Sequence, residues 1–393
     1  MVIIWANLDA EARWANQTLP KHVLEKISAA AVTLAALTRK GKEVELWTPA
    51  PVDPARIKIK GVTVREGVPA RQHIVWCKPH AKAANDRRVA LAVHEKLGTL
   101  LAGQRAITSL DELASATGPW VAKAPWTAAG RDRAMGNGPP TGELAVHVTR
   151  LLERCGVLMF EPWCERIFDL GVCGSIDEAG AVTKYSQHTL RSDARGNFVG
   201  IALTSPTLTR VETAKLESYI AEAGRALHAL EYSGPFGIDA FIYRTPETEL
   251  PVFIVLVEDM YEPYETRRAV FSSAHRTRAE AEAAADAGRI RPHAPDEQPM
   301  EQYHVREGTL SLDAGGQWQL ACALAKNESA PVEYVVRDIG PGRALHVCEI
   351  NARHTFGHVT WGLFTHYDAN ELGFGEPPEG ARVLVEGGAW IKR

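Results

Sequence analysis

The sequence predicts a mixed α/β (α+β) protein, with a small open α/β domain over residues 1–84 and a larger domain over residues 85–393. Three observations predict it. Short apolar runs alternate with helical patterns over the first 84 residues, as in an open sheet with crossover helices. Further strand-like runs follow, with one long amphipathic helix among them. The 393 residues are 45% apolar and 23% charged, ordinary globular composition. At about 150 residues per domain, that length suggests two or three domains.

Val2-Ile3-Ile4-Trp5 reads as a buried strand. Leu24 to Leu37 is helical, with Gly41 placed to stop it, and Glu43 to Trp47 follows as strand. Pro49, Pro51 and Pro54 break the pattern before Ile74-Val75-Trp76-Cys77 resumes it. Asn85-Asp86 caps a helix running to Leu97, with Gly98 as its stop, and Ser109-Leu110-Asp111-Glu112 has capping-box spacing. Trp120 to Pro125 reads as strand, followed by a loop, helix Gly142 to Arg154 and strand Val157 to Trp163. Arg166 to Ile176 and Ala181 to Gln187 are further strands. Leu216, Ile220, Ala223, Leu227 and Leu230 share one stripe of a helix from about Val211 to Leu230. Phe236 to Tyr243 and His346 to Ile350 read as central strands. The residues between them, about 251–342, are too many for a loop and are expected to form a structured insertion. Val252 to Val257 and Tyr334-Val335-Val336 suggest strands there, Arg278 to Ala287 a helix, and Arg291 to Pro299 a Pro-containing connection.

Forty-four Lys and Arg against 48 Asp and Glu leave a net charge of −4, which gives no electrostatic reason to bind nucleic acid. Six cysteines without a C-x-x-C pair signal neither a disulfide scaffold nor a zinc ribbon. No signal-type segment and no long apolar run is present, so a cytoplasmic protein away from membranes is expected. P-loop, H-E-x-x-H and G-x-S-x-G motifs are absent, and Pro139-Pro140 spoils the dinucleotide-like start at Gly136-Asn137-Gly138. His354 and His358 would share a face of a helix, but equally suit a loop.

Four segments carry chemistry. In the first, a buried strand delivers Lys123 to a small-residue loop containing Arg131 and Arg133, where backbone N–H groups and cations suit a phosphate. A lysine at a strand end beside a surface loop is the plain structural alternative. The second is Phe160-Glu161-Pro162-Trp163-Cys164-Glu165-Arg166, a strand ending in a charged turn. The third is Gly237-Ile238-Asp239-Ala240-Phe241, an acid in an apolar strand that needs a cation, a hydrogen-bond network or a raised pKa. The fourth runs from His346 to Gly357. Its Glu349 and Asn351 share a strand face as hard-oxygen donors suited to Mg²⁺, and Arg353 follows within reach of an anion. A buried polar network is the alternative for this segment.

In this order the four segments resemble the ATP-grasp superfamily, over about residues 85–245 and 343–365. The Glu349-x-Asn351-x-Arg353 string is similar to that of biotin carboxylases, and Glu-x-Asn alone to that of D-alanine–D-alanine ligases. The resemblance implies an ATP-grasp fold preceded by an α/β domain, with ATP and Mg²⁺ as cofactors. It implies that Lys123 binds phosphate and takes part in catalysis, that Glu161 and Glu165 are the hinge acids, one of which binds the ribose hydroxyls, and that Trp163 and its neighbours give backbone contacts to adenine. It further implies that Asp239, Glu349 and Asn351 hold the metal and that Arg353 serves the reacting anion. The family's earlier nucleotide-binding lysine falls near Arg87, an arginine here, and Arg131 and Arg133 stand in a loop less glycine-rich than usual. The implied activity is an ATP-dependent carboxylate–amine (or carboxylate–thiol) ligase working through an acyl phosphate. A small-molecule kinase and a nucleotide-binding regulatory protein without turnover are the alternatives. Expected partners are a small-molecule carboxylate and amine, with room for a homodimer, but no nucleic acid and no membrane. The insertion, rooted between the strands of Asp239 and Glu349, is expected to shape acceptor binding or a dimer contact.

Overall fold

The computed structural model describes residues 1–39, 41–126, 132–193, 198–204, 206–259, 267–289 and 301–393. The expected loop residues around Arg131 and the stretch from Arg291 to Pro299 lie outside the described residues. The chain forms two units, one of Met1–Pro206, Tyr219–Ile242 and His346–Arg393, the other of Thr207–Ser218 and Tyr243–Leu345.

In the first unit, an all-parallel sheet runs in the order Val62–Glu66, Val44–Thr48, Val2–Trp5, Ile74–Val75. The strand expected at Ile74 to Cys77 ends two residues early. Cys77 gives its N–H to Asn7 Oδ1 (3.0 Å) and takes Asn7 Nδ2 on its carbonyl (2.8 Å), so a side chain replaces the ladder there. Helix Lys21–Ala31 tightens into a 3₁₀ segment, Val32–Leu37, instead of continuing as one helix to Leu37. Val32, Thr33, Leu34 and Ala36 are all buried there, so packing on several sides overrides a one-faced helical stripe. The core under this sheet also takes Val359 and Leu363 from helix Phe356–Tyr367, and Leu372, Leu384 and Ile391 from the last three strands.

A second, antiparallel sheet runs Arg105–Ile107, Leu158–Pro162, Pro119–Lys123, Arg133–Asn137. Helix Gly142–Cys155 covers it, with Val148, Leu151 and Leu152 packed among Trp120, Leu158 and Phe160. Gly156 ends that helix at φ +74, a conformation costly for any residue with a Cβ. Helix Arg88–Leu97 starts where Asp86 Oδ1 accepts from the Arg88 N–H (2.9 Å) and stops at Gly98, φ +63. Glu112 Oε1 accepts from the N–H groups of Thr108 and Ser109, but only a short 3₁₀ turn, Asp111–Leu113, follows.

The largest sheet has eight strands: Arg343–Asn351, Gly234–Arg244, Arg166–Ile176, Val182–Ser192, Phe198–Ala202, Glu371–Phe374, Ala389–Lys392 and Arg382–Val385. The two strands carrying Asp239 and Glu349 are neighbours at its edge.

The second unit is built on a five-stranded sheet, Trp318–Cys322, Glu301–Leu312, Glu249–Asp259, Ala269–His275, Glu328–Ser329. Val252, Ile254 and Leu256 face helix Val332–Ile339, while Val255 faces Ala281 and Ala285 of helix Arg278–Arg289. Tyr334-Val335-Val336 is therefore helical and not the strand that its apolar run suggests. Pro331 precedes its first turn, Gly340 closes it at φ +59, and Val335 and Ile339, four residues apart, are its buried apolar pair. No helix among the described residues is long and apolar enough to cross a membrane.

Gly362 lies where helix Phe356–Tyr367 meets the 3₁₀ segment, and a Cβ there would sit 2.1 Å from the Ala36 carbonyl oxygen. Backbone cannot swing aside as a side chain can. Gly362→Ala should therefore destabilise the protein by about 1–3 kcal/mol despite alanine's better helix propensity, read as a lowered denaturation midpoint.

Candidate functional site

All the described site residues belong to the first unit. Lys123 ends strand Pro119–Lys123, and Glu161 lies on the neighbouring strand opposite Val121. Val121 and Lys123 share a face, so the Lys123–Glu161 pair is a diagonal cross-strand contact, with Nζ 2.5 Å from Oε2. Both side chains are largely buried.

Asp239 and Asn351 meet across adjacent strands, Asn351 Nδ2 donating to Asp239 Oδ2 at 3.3 Å. The Cys348 thiol donates to the Asp239 carbonyl at 3.3 Å, and burial pushes that thiol up to about 12, so it is inert as a nucleophile. Burial, then the negative charge of Glu349, pushes the Asp239 carboxyl up to about 7, against the pull of Arg353 and the Asn351 hydrogen bond. Of the three ways to tolerate an acid in this strand, the fold uses a raised pKa and a hydrogen bond.

Arg87 stands one residue before helix Arg88–Leu97. Its Nη2 is 3.1 Å from Glu349 Oε1, and its Nη1 donates to the Ala124 carbonyl at 2.8 Å, beside Lys123. Burial works against its charge, but Glu349, Glu11 and Glu161 outweigh it and hold the guanidinium above its ordinary value. Arg353 lies two residues past its strand. Its Nε donates to Glu11 Oε1 at 2.9 Å, and it stands 5.6 Å from the Trp76 ring. Burial opposes this charge too, and Glu11 and Glu349 again prevail.

The other expected residues are less concentrated. Trp163 is half-buried under Arg166, whose guanidinium is 5.1 Å from its ring, and Glu165 is exposed. Arg133 pairs with Lys123 across the ladder, so it stands at the root of the loop, while Arg131 lies outside the described residues. His354 and His358 bond the Val75 and Gly174 carbonyls, and burial drives them down to about 4 and about 3. Neutral at physiological pH, they brace the backbone beneath Arg353. Glu11 was not foreseen. The signal for it is an acid just beyond the carboxyl end of the first parallel strand, the edge where open α/β sheets gather ligands.

The oxygens fit a hard divalent cation. Glu349 Oε2, Asp239 Oδ1 and Asn351 Oδ1 make no hydrogen bond among the described residues, and two carboxylates this close repel. Two carboxylates and an amide oxygen are a Mg²⁺-type donor set rather than a zinc set. No cluster of three or more His, Cys, Asp or Glu that could hold a metal exists among the described residues, so a donor set here would need the Asn351 amide beside the two carboxylates.

No protein-family model matches the sequence, and neither does any curated protein. Among solved structures the chain is similar to N5-carboxyaminoimidazole synthetase from Staphylococcus aureus, at 10% identity and TM-score 0.37 over 62% of this chain and 66% of that one. It is similar to D-alanyl-alanine synthetase A from Vibrio cholerae at 13% identity and TM-score 0.35, over 44% and 56% of the two chains. Biotin carboxylase from Campylobacter jejuni matches at 11% identity and TM-score 0.42, over 79% and 75%. The chain thus spans just under two thirds of the first and little more than half of the second.

Asp239 ionises near its ordinary value when unfolded but only near about 7 in the fold. The folded state therefore binds this proton more tightly, and its stability falls as pH rises from about 4 to about 7. Asp239→Asn removes that fall. In magnesium-free buffer its denaturant midpoint should exceed the parent's by more at about pH 8 than at about pH 5. An equal difference at both values would mean that Asp239 is ionised throughout.

Proposed function

We propose that this chain is an ATP-dependent ligase of the ATP-grasp kind, which activates a substrate carboxylate as an acyl phosphate for attack by an amine (or thiol), releasing ADP and phosphate. The observation that supports this most is the meeting of a hard-oxygen donor set, Asp239, Glu349 and Asn351, with three buried or largely buried cations from separate segments. Lys123, Arg87 and Arg353 each rest on a carboxylate, respectively Glu161, Glu349 and Glu11, so each is held in place before any phosphate arrives.

Bound at these oxygens, Mg²⁺ would offset negative charge on phosphate oxygens. Lys123 supplies a point charge toward phosphate from the end of its strand. Arg87 ties the Glu349 carboxylate to the backbone beside Lys123, which keeps the donor set and the lysine in one register. Arg353 offers its guanidinium to the oxyanion of a tetrahedral intermediate. Glu161 holds Lys123 extended by a direct ion pair, and the hinge around Trp163 is the adenine side of the site.

Screening amino acids and amines for ADP release, with mass spectrometry of the product, tests this reading. ADP formed only with a carboxylate and a nucleophile together is the expected result. A stable phosphorylated product would make the protein a kinase, and ATP binding without ADP under any acceptor would make it a regulatory protein.

Two variants separate the roles. Lys123→Ala should weaken ATP more than adenosine, because the lysine addresses phosphate and not base, and calorimetry with both ligands reads the difference. Glu349→Gln should lower turnover by about 10²–10³, the scale of one lost electrostatic contact in a transition state. Near-parental activity with Mg-ATP would remove Glu349 from the site.

A further inference from the structure

We propose that Glu11 is a positioning residue for Arg353, fixing its guanidinium so that one nitrogen stays open to an oxyanion. The nature of that oxyanion rests on the ligase reading above; the contact itself does not.

Glu11 sits in the short helix Ala10–Trp14, just after the first parallel strand, and is 6% exposed. Its Oε1 accepts from Arg353 Nε at 2.9 Å, while its buried Oε2 has no hydrogen-bond partner among the described residues. A carboxylate held this way is costly to bury, and Arg353 supplies its one side-chain hydrogen bond among the described residues. On the other side of the pair, Arg353 Nη1 donates to the His354 carbonyl at 3.3 Å. A guanidinium is planar, so fixing Nε and Nη1 also fixes Nη2, which makes no hydrogen bond among the described residues. Arg353 is thus anchored on two nitrogens and open on the third.

The anchor is itself rigid. Asn85 Nδ2 donates to the Ala352 carbonyl at 3.1 Å, and the His354 N–H donates to the Trp76 carbonyl at 3.0 Å, so the backbone on both sides of Arg353 is tied down. A purely structural ion pair would need none of this directional control. It would alter stability without separating kcat from KM.

The test compares the full-length parent with Glu11→Ala and Glu11→Gln, the latter keeping an acceptor for Nε without the charge. The Arg353 Nε–H signal in ¹⁵N–¹H spectra, assigned by its loss in Arg353→Lys, should be sharp and slowly exchanging in the parent, retained in Glu11→Gln, and broadened or lost in Glu11→Ala. ATP affinity should stay within about twofold, while kcat falls by about 10² in Glu11→Ala and about tenfold in Glu11→Gln. An unchanged Nε–H signal in a folded Glu11→Ala, or an unchanged kcat in either variant, would overturn the proposal. Should Glu11→Ala fail to fold, the kcat of Glu11→Gln at constant ATP affinity decides. If the parent forms no ADP with any acceptor, the ligase reading falls, and the Nε–H signal still decides whether Glu11 positions Arg353.

Discussion

Asp239 and Glu349 are two acids brought together on neighbouring strands of one sheet edge, and their mutual repulsion organises what surrounds them. In a low-dielectric setting such a pair is tolerable only if protons, cations or hydrogen bonds offset it. Asp239 takes a raised pKa and the Asn351 amide, and Glu349 takes Arg87. Arg353 adds a second positive charge, and being buried itself it requires Glu11. The result is an alternation of signs, with Lys123 and Glu161 as its last pair. Each buried charge has an opposite one near it, because an uncompensated one is strongly destabilising.

That alternation depends on where the backbone is placed. The parallel sheet ends where Asn7 takes over the Cys77 backbone groups, and this brings Trp76 against the Arg353 segment. Helix Phe356–Tyr367 then leaves the site and packs so closely at Gly362 that no side chain fits there. Its N-terminus is closed by a reciprocal cap in which Thr355 and His358 bond each other's backbone and side chains. Histidines kept neutral by burial serve this purpose well, since they accept and donate without adding charge to a crowded neighbourhood.

The second unit has a core of its own, with a helix on each face of its five-stranded sheet. It holds the residues that the sequence sets apart as an insertion, and it adds Thr207–Ser218 from the start of helix Arg210–Ala229. Glu212, in that helix, takes Arg343 on both oxygens at 2.7 and 2.8 Å. The unit is thereby clasped across 131 residues of chain by a bidentate, charge-assisted pair.

Local chemistry was legible from the residues alone. Strand Arg166–Ile176, helices Arg88–Leu97 and Gly142–Cys155, and the helix beginning at Arg210 follow from periodicity, caps and glycine stops, all of which act within a few residues. Asp239 declared itself as an acid in an apolar run, and Glu349 and Asn351 as donors on one strand face. Tyr334-Val335-Val336 was misread because three apolar residues fit either period, and the flanking Pro331 and Gly340 decide for helix. What only the tertiary structure decided is which charge answers which. Glu11 and Arg353 are 342 residues apart, Arg87 and Glu349 are 262 apart, and neither pairing has a local signature. Sequence determines the ionisable groups and the faces that present them; the long-range packing of sheets determines their partners, since electrostatic pairing depends on distance in space and not along the chain.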